Sequence, residues 1–163
     1  MNKVPIRYLP KVLSQGDKKT AKKELKKSRN LYKKGIYYSR KKVASFPHKK
    51  SSHIKEAQRI YHIENMNVNR ELARKTGCSL AALNKIVNKG EGAYFSSGSR
   101  PNQTGQSWGL ARLASALTAG KAAAVDFAII DKGCKHTGTA YKLAKKAQKK
   151  HGYGHRRTKK VVL

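Results

Sequence analysis

The chain has 163 residues, with 38 Lys or Arg against 8 Asp or Glu and a formal net charge of +30. That length fits one domain, or a small domain with appended arms, and excludes a large enzyme core. A charge excess of this size repels itself in a compact monomer unless a polyanion or an assembly neutralises it, so the composition points to an acidic partner.

The charge is unevenly placed. Residues 1–60 carry 19 bases and 3 acids, residues 61–134 carry 9 and 5, and residues 135–163 carry 10 and none. The chain therefore reads as a basic N-terminal arm and helix, a near-neutral helical core, and a basic C-terminal helix and tail. A single solvated helix face explains a local lysine run but not so general an imbalance. The residues expected to meet a polyanion or partner are Lys22, Lys23, Lys26, Lys27, Arg40, Lys41, Lys42, Arg100, Arg156 and Arg157.

In chain order, Pro5 and Pro10 bracket IRYL as an extended lead-in, because proline fixes its own φ and pushes the preceding residue out of the α region. Ser14 and Asp17 resemble a capping box, and the spacing predicts a helix from Asp17 to about Lys34 with Ala21, Leu25, Ser28 and Tyr32 on one face. Lysines surround most of its girth, so the helix needs a partner surface. Gly35 is expected to end it. The following IYYSRKKVASFPHKK, aromatic, β-branched and basic, reads as a short strand or an extended arm. Ser52 is the expected cap of a helix from about His53 to Glu64, with Ile54, Ala57, Ile60 and Tyr61 along one side.

The segment NRELARKTGCSLAALNKIVNKG is the most patterned. Asn69 is the expected cap of a short helix, Thr76-Gly77-Cys78 a tight turn, Ser79 the cap of a second helix, and Gly90 its stop. Ala73, Gly77, Leu83 and Ile86 have the spacing of a helix-turn-helix, which places Asn84, Lys85, Asn88 and Lys89 outward, toward a major groove if the pair reads DNA. Any two short helices joined by a glycine turn produce the same pattern.

Gly92 to Trp108, GAYFSSGSRPNQTGQSW, is poor in lysine and rich in uncharged donors. Such a loop can cradle phosphate, lock a fold, or contact a partner. Two readings stand: a hydrogen-bonded structural loop anchored by Trp108 and Arg100, and a contact loop. A P-loop is excluded, since Gly120-Lys121 is followed by Ala122. Ser96, Ser97 and Ser99 have no His and carboxylate near them in sequence, and no catalytic residue is assigned.

Ser107 is the expected cap of a helix from about Trp108 to Ala119, with Gly120 its stop. KAAAVDFAIID, from Lys121 to Asp131, is apolar nearly all round and reads as a buried helix, although VDFAII alone would also pass for a strand. Asp126 and Asp131 are expected to pair with Arg100 or Arg112. Thr139 to Lys150 is a basic amphipathic helix with Ala140, Leu143, Ala144 and Ala147 inward. HGYGHRRTKKVVL reads as a flexible basic tail.

Cys78 and Cys134 lie in no CxxC or Cys/His array and read as reduced, buried thiols, so neither a metal nor a cofactor is expected. No run approaches the roughly 20 apolar residues of a bilayer span, and MNKVPIRYLP lacks a signal-peptide core, which implies synthesis in a reducing interior.

The blocks SGSRPNQT and SWGLARLASALTAGKA, together with YLPKVLSQGDKKTAKKELKKSRNLYKKGIYYSRKKV and LARKTGCSLAALNKIVNKGEGAY, resemble an uncharacterised family of basic proteins encoded by nucleocytoplasmic large DNA viruses of the chlorovirus, mimivirus and marseillevirus type. The resemblance implies a viral setting and carries over no active site. The sequence expectation is a mainly α fold, a small helical core with a helix-turn-helix-like pair and extended basic arms. Its expected role is that of a minor capsid component, made in the host cytoplasm and placed in the virion, that joins major and minor capsid proteins, an anionic membrane surface or double-stranded DNA through its arms. The alternative is a DNA-binding or DNA-condensing protein using residues 69–90.

Overall fold

The computed structural model describes residues 2–47, 50–154 and 158–163. Its elements in chain order are β1 (Lys3–Pro5), a 3-10 turn (Ile6–Tyr8), α1 (Gln15–Lys33), α2 (Ser52–Tyr61), α3 (Arg70–Thr76) and α4 (Leu80–Ser96). They are followed by α5 (Gly105–Leu117), α6 (Lys121–Val125), α7 (Phe127–Gly133), α8 (Thr139–His151) and β2 (Lys160–Val162). The protein is mainly α.

Two compact units are present, one formed by residues 1–49, 91–108 and 157–163, the other by residues 50–90 and 109–156. The divisions at residues 60 and 134 suggested by charge both fall inside the second unit. Charge is a surface property, whereas a unit is defined by the apolar faces that pack together. Ala57 and Tyr61 of α2 and Ala140, Ala144 and Ala147 of α8 share one core.

In the first unit, β1 and β2 form an antiparallel pair with Lys3 opposite Val162 and Pro5 opposite Lys160. The described end of the expected tail is thus a paired strand, and Leu163 is buried. Ser14 caps α1 by accepting from the Asp17 amide at 3.1 Å. The helix buries Ala21 and Leu25 against Val4, Tyr8, Leu9, Leu13 and Val43. Residues 36–47 form neither strand nor helix.

The second unit packs α2, α3 and α4 as far as Gly90 with α5 from Gly109 and α6 to α8. Leu72, Leu83, Ile86, Leu113, Leu117 and Ile130 fill its centre, together with buried alanines of α5, α6 and α8. The Tyr61 hydroxyl donates to the Leu117 carbonyl at 2.6 Å, and burial holds its pKa above the ordinary tyrosine range.

Several local expectations are corrected. Gly90 does not stop α4, which continues to Ser96. It is buried where α5 passes, and a Cβ there would lie 2.6 Å from the Gly109 Cα. Close approach, not termination, is what the glycine serves. The cysteines are not reduced: Cys78 and Cys134 form a disulfide with an S–S distance of 2.02 Å. Backbone bonds on either side, from Ser79 N to Gly133 O and from Lys135 N to Gly77 O, both 2.8 Å, bring the two residues opposite each other.

The remaining corrections concern helix ends. α5 begins at Gly105, before Ser107, because Thr104 and Ser107 each accept from the other's amide, at 3.0 and 2.8 Å. α2 begins at Ser52 and ends at Tyr61, where His62 adopts a left-handed conformation with φ 53°. The single helix expected over Lys121 to Asp131 is broken at Asp126, whose buried carboxylate is drawn to Arg112.

Candidate polyanion-binding surface

Helical periodicity divides α1 into two faces. Ala21, Glu24, Leu25 and Ser28 are buried, which turns Lys23, Lys26 and Lys27 to solvent and leaves Lys22 half-buried. The Lys27 ammonium lies 4.4 Å from the centroid of the Tyr38 ring. Among the described residues, none of these four lysines forms a salt bridge. Their charges remain available to a partner.

The RKK run behaves differently. Lys41 and Lys42 are exposed, but Arg40 turns inward. Its guanidinium donates through Nη1 to Ser28 Oγ at 2.9 Å and Tyr94 O at 2.7 Å, and through Nη2 to Ser99 Oγ at 2.8 Å. It stacks 3.8 Å from the Tyr94 ring centroid, while its own amide donates to the Tyr94 hydroxyl. Burial lowers its pKa from the usual arginine value. Arg40 is thus a structural clamp, because the planar fork finds three acceptors inside the unit.

Of the two anchors expected for the central loop, Trp108 serves and Arg100 does not, and other residues do most of the holding. Asn102 accepts from the Val43 amide at 2.8 Å and donates to the Val43 and Phe46 carbonyls, both at 3.0 Å. Ser99 is buried under Arg40, whereas Arg100 is exposed and anchors nothing through its side chain among the described contacts. Trp108 does serve as an anchor, edge-on to Tyr8 with centroids 6.2 Å apart. Glu24 completes the arrangement by accepting from the Lys41 amide and the Tyr38 hydroxyl, both at 2.8 Å. Burial of Glu24 alone would raise its pKa, but these bonds and the nearby lysines hold it below the ordinary value.

In the second unit, Asn69 accepts from the Leu72 amide at 2.8 Å, Gly77 turns left-handed with φ 76°, and Ser79 accepts from the Ala82 amide at 3.1 Å. The α3–α4 pair therefore has the capped, glycine-turned geometry read from its sequence. Asn84, Lys85, Asn88 and Lys89 are all exposed on α4. Lys89 is also committed internally, its ammonium 3.2 Å from Asp126 Oδ1. The buried Asp126 takes two further bonds from Arg112, both 2.8 Å, and Asp131 pairs with His136 rather than with an arginine.

One cluster escaped sequence reasoning. Arg74, Lys132 and Lys135 line a shallow hollow around the disulfide, brought together because Cys78 and Cys134, 56 residues apart, are joined. On α8, burial of Ala140, Ala144 and Ala147 turns Lys142, Lys145, Lys146, Lys149 and Lys150 outward. Arg156 and Arg157 lie outside the described residues.

Among the described residues, no helix is long and apolar enough to cross a membrane and no group of three or more His, Cys, Asp or Glu could hold a metal ion. No curated protein and no solved structure shows significant similarity to the chain. A family model does match, over residues 5–134, which is 130 of the 163 residues and includes α1, the α3–α4 pair, the central loop and both cysteines. By that match the chain belongs to the family of unknown function DUF5824.

Proposed function

We propose that this protein is a structural component of a large DNA virus particle, a minor capsid protein that joins capsid subunits to neighbouring polyanionic surfaces. The observation that carries this reading is the division of labour among the basic residues. Arg40, Arg112 and Lys89 are committed to internal acceptors, while Lys22, Lys23, Lys26 and Lys27 on α1 form no salt bridge among the described residues. Each lysine that meets a phosphate or carboxylate releases counterions, so binding is strong at low salt and fails as salt rises. The viral setting is implied by the resemblance of the SGSRPNQT and SWGLARLASALTAGKA blocks.

Stepwise dissociation of purified particles tests the role. The chain is expected to leave with the capsomers, and release with the genome alone would overturn the assignment.

A second reading, duplex DNA binding by residues 69–90, is favoured by one observation. The left-handed turn at Gly77 and the exposed Asn84, Lys85 and Asn88 on one helix match the disposition of a groove-reading pair. It requires a sequence preference that disappears in Asn84→Ala or Asn88→Ala. Salt-sensitive binding with no preference leaves the capsid reading in place.

A further inference from the structure

The end of α1 carries an apolar knuckle that the described residues leave exposed. Gly35, at φ 76°, closes the helix as a Schellman motif: its amide donates to Tyr32 O, and the Ile36 amide donates to Leu31 O, both at 2.9 Å. An apolar residue at the position after the glycine commonly packs back on the helix. Ile36 instead remains 50% exposed, with Tyr37 at 71% and Tyr32 at 37%.

This exposure is built, not frayed. The Ile36 backbone is pinned by the motif, and Tyr37 is held between Tyr32 and Phe95, with ring centroids 6.0 and 5.2 Å apart. One residue later the chain turns inward, as Tyr38 donates to Glu24, and Arg40 is enclosed after it. The same short segment thus satisfies Tyr38 and Arg40 inside while holding Ile36 and Tyr37 out. Exposed Lys33 and Lys34 flank the knuckle on its helical side.

We infer that the Tyr32-Ile36-Tyr37 knuckle, with Lys33 and Lys34, seats the protein on an anionic lipid bilayer. The inference rests on the polyanion-binding reading above and selects one partner for the first unit. A phosphodiester backbone would engage the lysines but leave Ile36 and Tyr37 in water. A bilayer interface takes both kinds of group: tyrosine rings and aliphatic side chains enter the headgroup boundary, and lysines meet the anionic headgroups. Ile36 in particular has no use in base stacking.

The full chain should co-float with phosphatidylcholine vesicles containing phosphatidylserine and not with phosphatidylcholine alone. The double variant Ile36→Ser/Tyr37→Ser should partition about tenfold more weakly with its duplex DNA affinity unchanged. A separate Tyr37→Trp variant should gain a blue-shifted emission component with the serine-lipid vesicles, which supplies a readout should the double variant fail to fold. Vesicle binding unaffected by the double variant and no shift from the Trp variant would overturn the inference while sparing the polyanion reading. So would loss of single-stranded oligonucleotide binding, and not of vesicle binding, in the double variant. Failure to bind vesicles, nucleic acid and capsid subunits alike at low salt would overturn both.

Discussion

Each unit is stabilised internally by its own kind of interaction. The second is an assembly of amphipathic helices whose apolar stripes meet, with alanines in the core, glycine at close contacts and a disulfide tying the α3–α4 turn to the segment before α8. The first has a smaller apolar cluster and leans on side-chain to backbone bonds between residues far apart in sequence, centred on Arg40, Glu24, Ser99 and Asn102. Stability in one comes mainly from periodicity, in the other from particular polar partners. Substitutions should therefore act through area and closeness in the second unit, and through orphaned hydrogen-bonding groups in the first.

Breaking the disulfide is the largest test of that contrast. On the chain-entropy model, reduction of a bridge spanning 56 residues costs about 4 kcal/mol. Hydrogen exchange should then accelerate in α3 and α8 and leave α1 protected; equal loss in α1 would erase the distinction. Arg40→Met should destabilise the first unit by about 3 kcal/mol, because the Ser28 and Ser99 hydroxyls and the Tyr94 carbonyl lose their donor. Denaturant melts should show Arg40→Lys recovering only part of this, since an ammonium cannot reproduce the planar fork.

Gly90→Ala sharpens the other side. Alanine improves intrinsic helix propensity by about 1 kcal/mol, yet its Cβ would meet the Gly109 backbone at 2.6 Å. The expected outcome in thermal melts is a net loss of about 2 kcal/mol. A gain would mean that α4 and α5 part readily at this crossing.

Acid should produce the smallest effect, through two carboxylates in the first unit and two in the second, Glu56 and Glu71, which Arg59 and Lys75 hold below the ordinary value. The Ser45 hydroxyl and amide lower the Asp17 pKa, and the Lys41 amide and Tyr38 hydroxyl outweigh burial to lower that of Glu24. Carboxylates depressed in the folded state contribute stability that is complete above their ordinary values of 3.8 and 4.5. That contribution is lost as pH falls through the folded-state values. Amide protection around Lys41 and Ser45 should weaken below about pH 4.5, before protection at the α5 core does.

Sequence reading succeeded where the determinant is local. Ser14, Asn69 and Ser79 cap the helices assigned to them, and Gly35 and Gly77 take the left-handed turns, because each acts on residues within three or four positions. The exposed face of α4 was legible for the same reason. What could not be read were events that depend on distant chain. Gly90 looks like a helix stop until α5 is placed against it, and Arg40 looks like one more surface cation in RKK until Ser28, Tyr94 and Ser99 surround it. The disulfide joins cysteines whose spacing has no recognisable signature, and the hollow lined by Arg74, Lys132 and Lys135 exists only once that bridge is made.

The pairing of β1 with β2 has a mechanical consequence. Lys3 faces Val162, and the Leu163 amide donates to the Asn2 carbonyl at 2.9 Å, so these outermost residues sit at the same end of a two-stranded ribbon. A load applied between residues 2 and 163 would peel the ribbon open one rung at a time instead of shearing all rungs together. The first unit should consequently yield at low force when pulled from these points, with Val4 and Leu163 leaving its apolar cluster first.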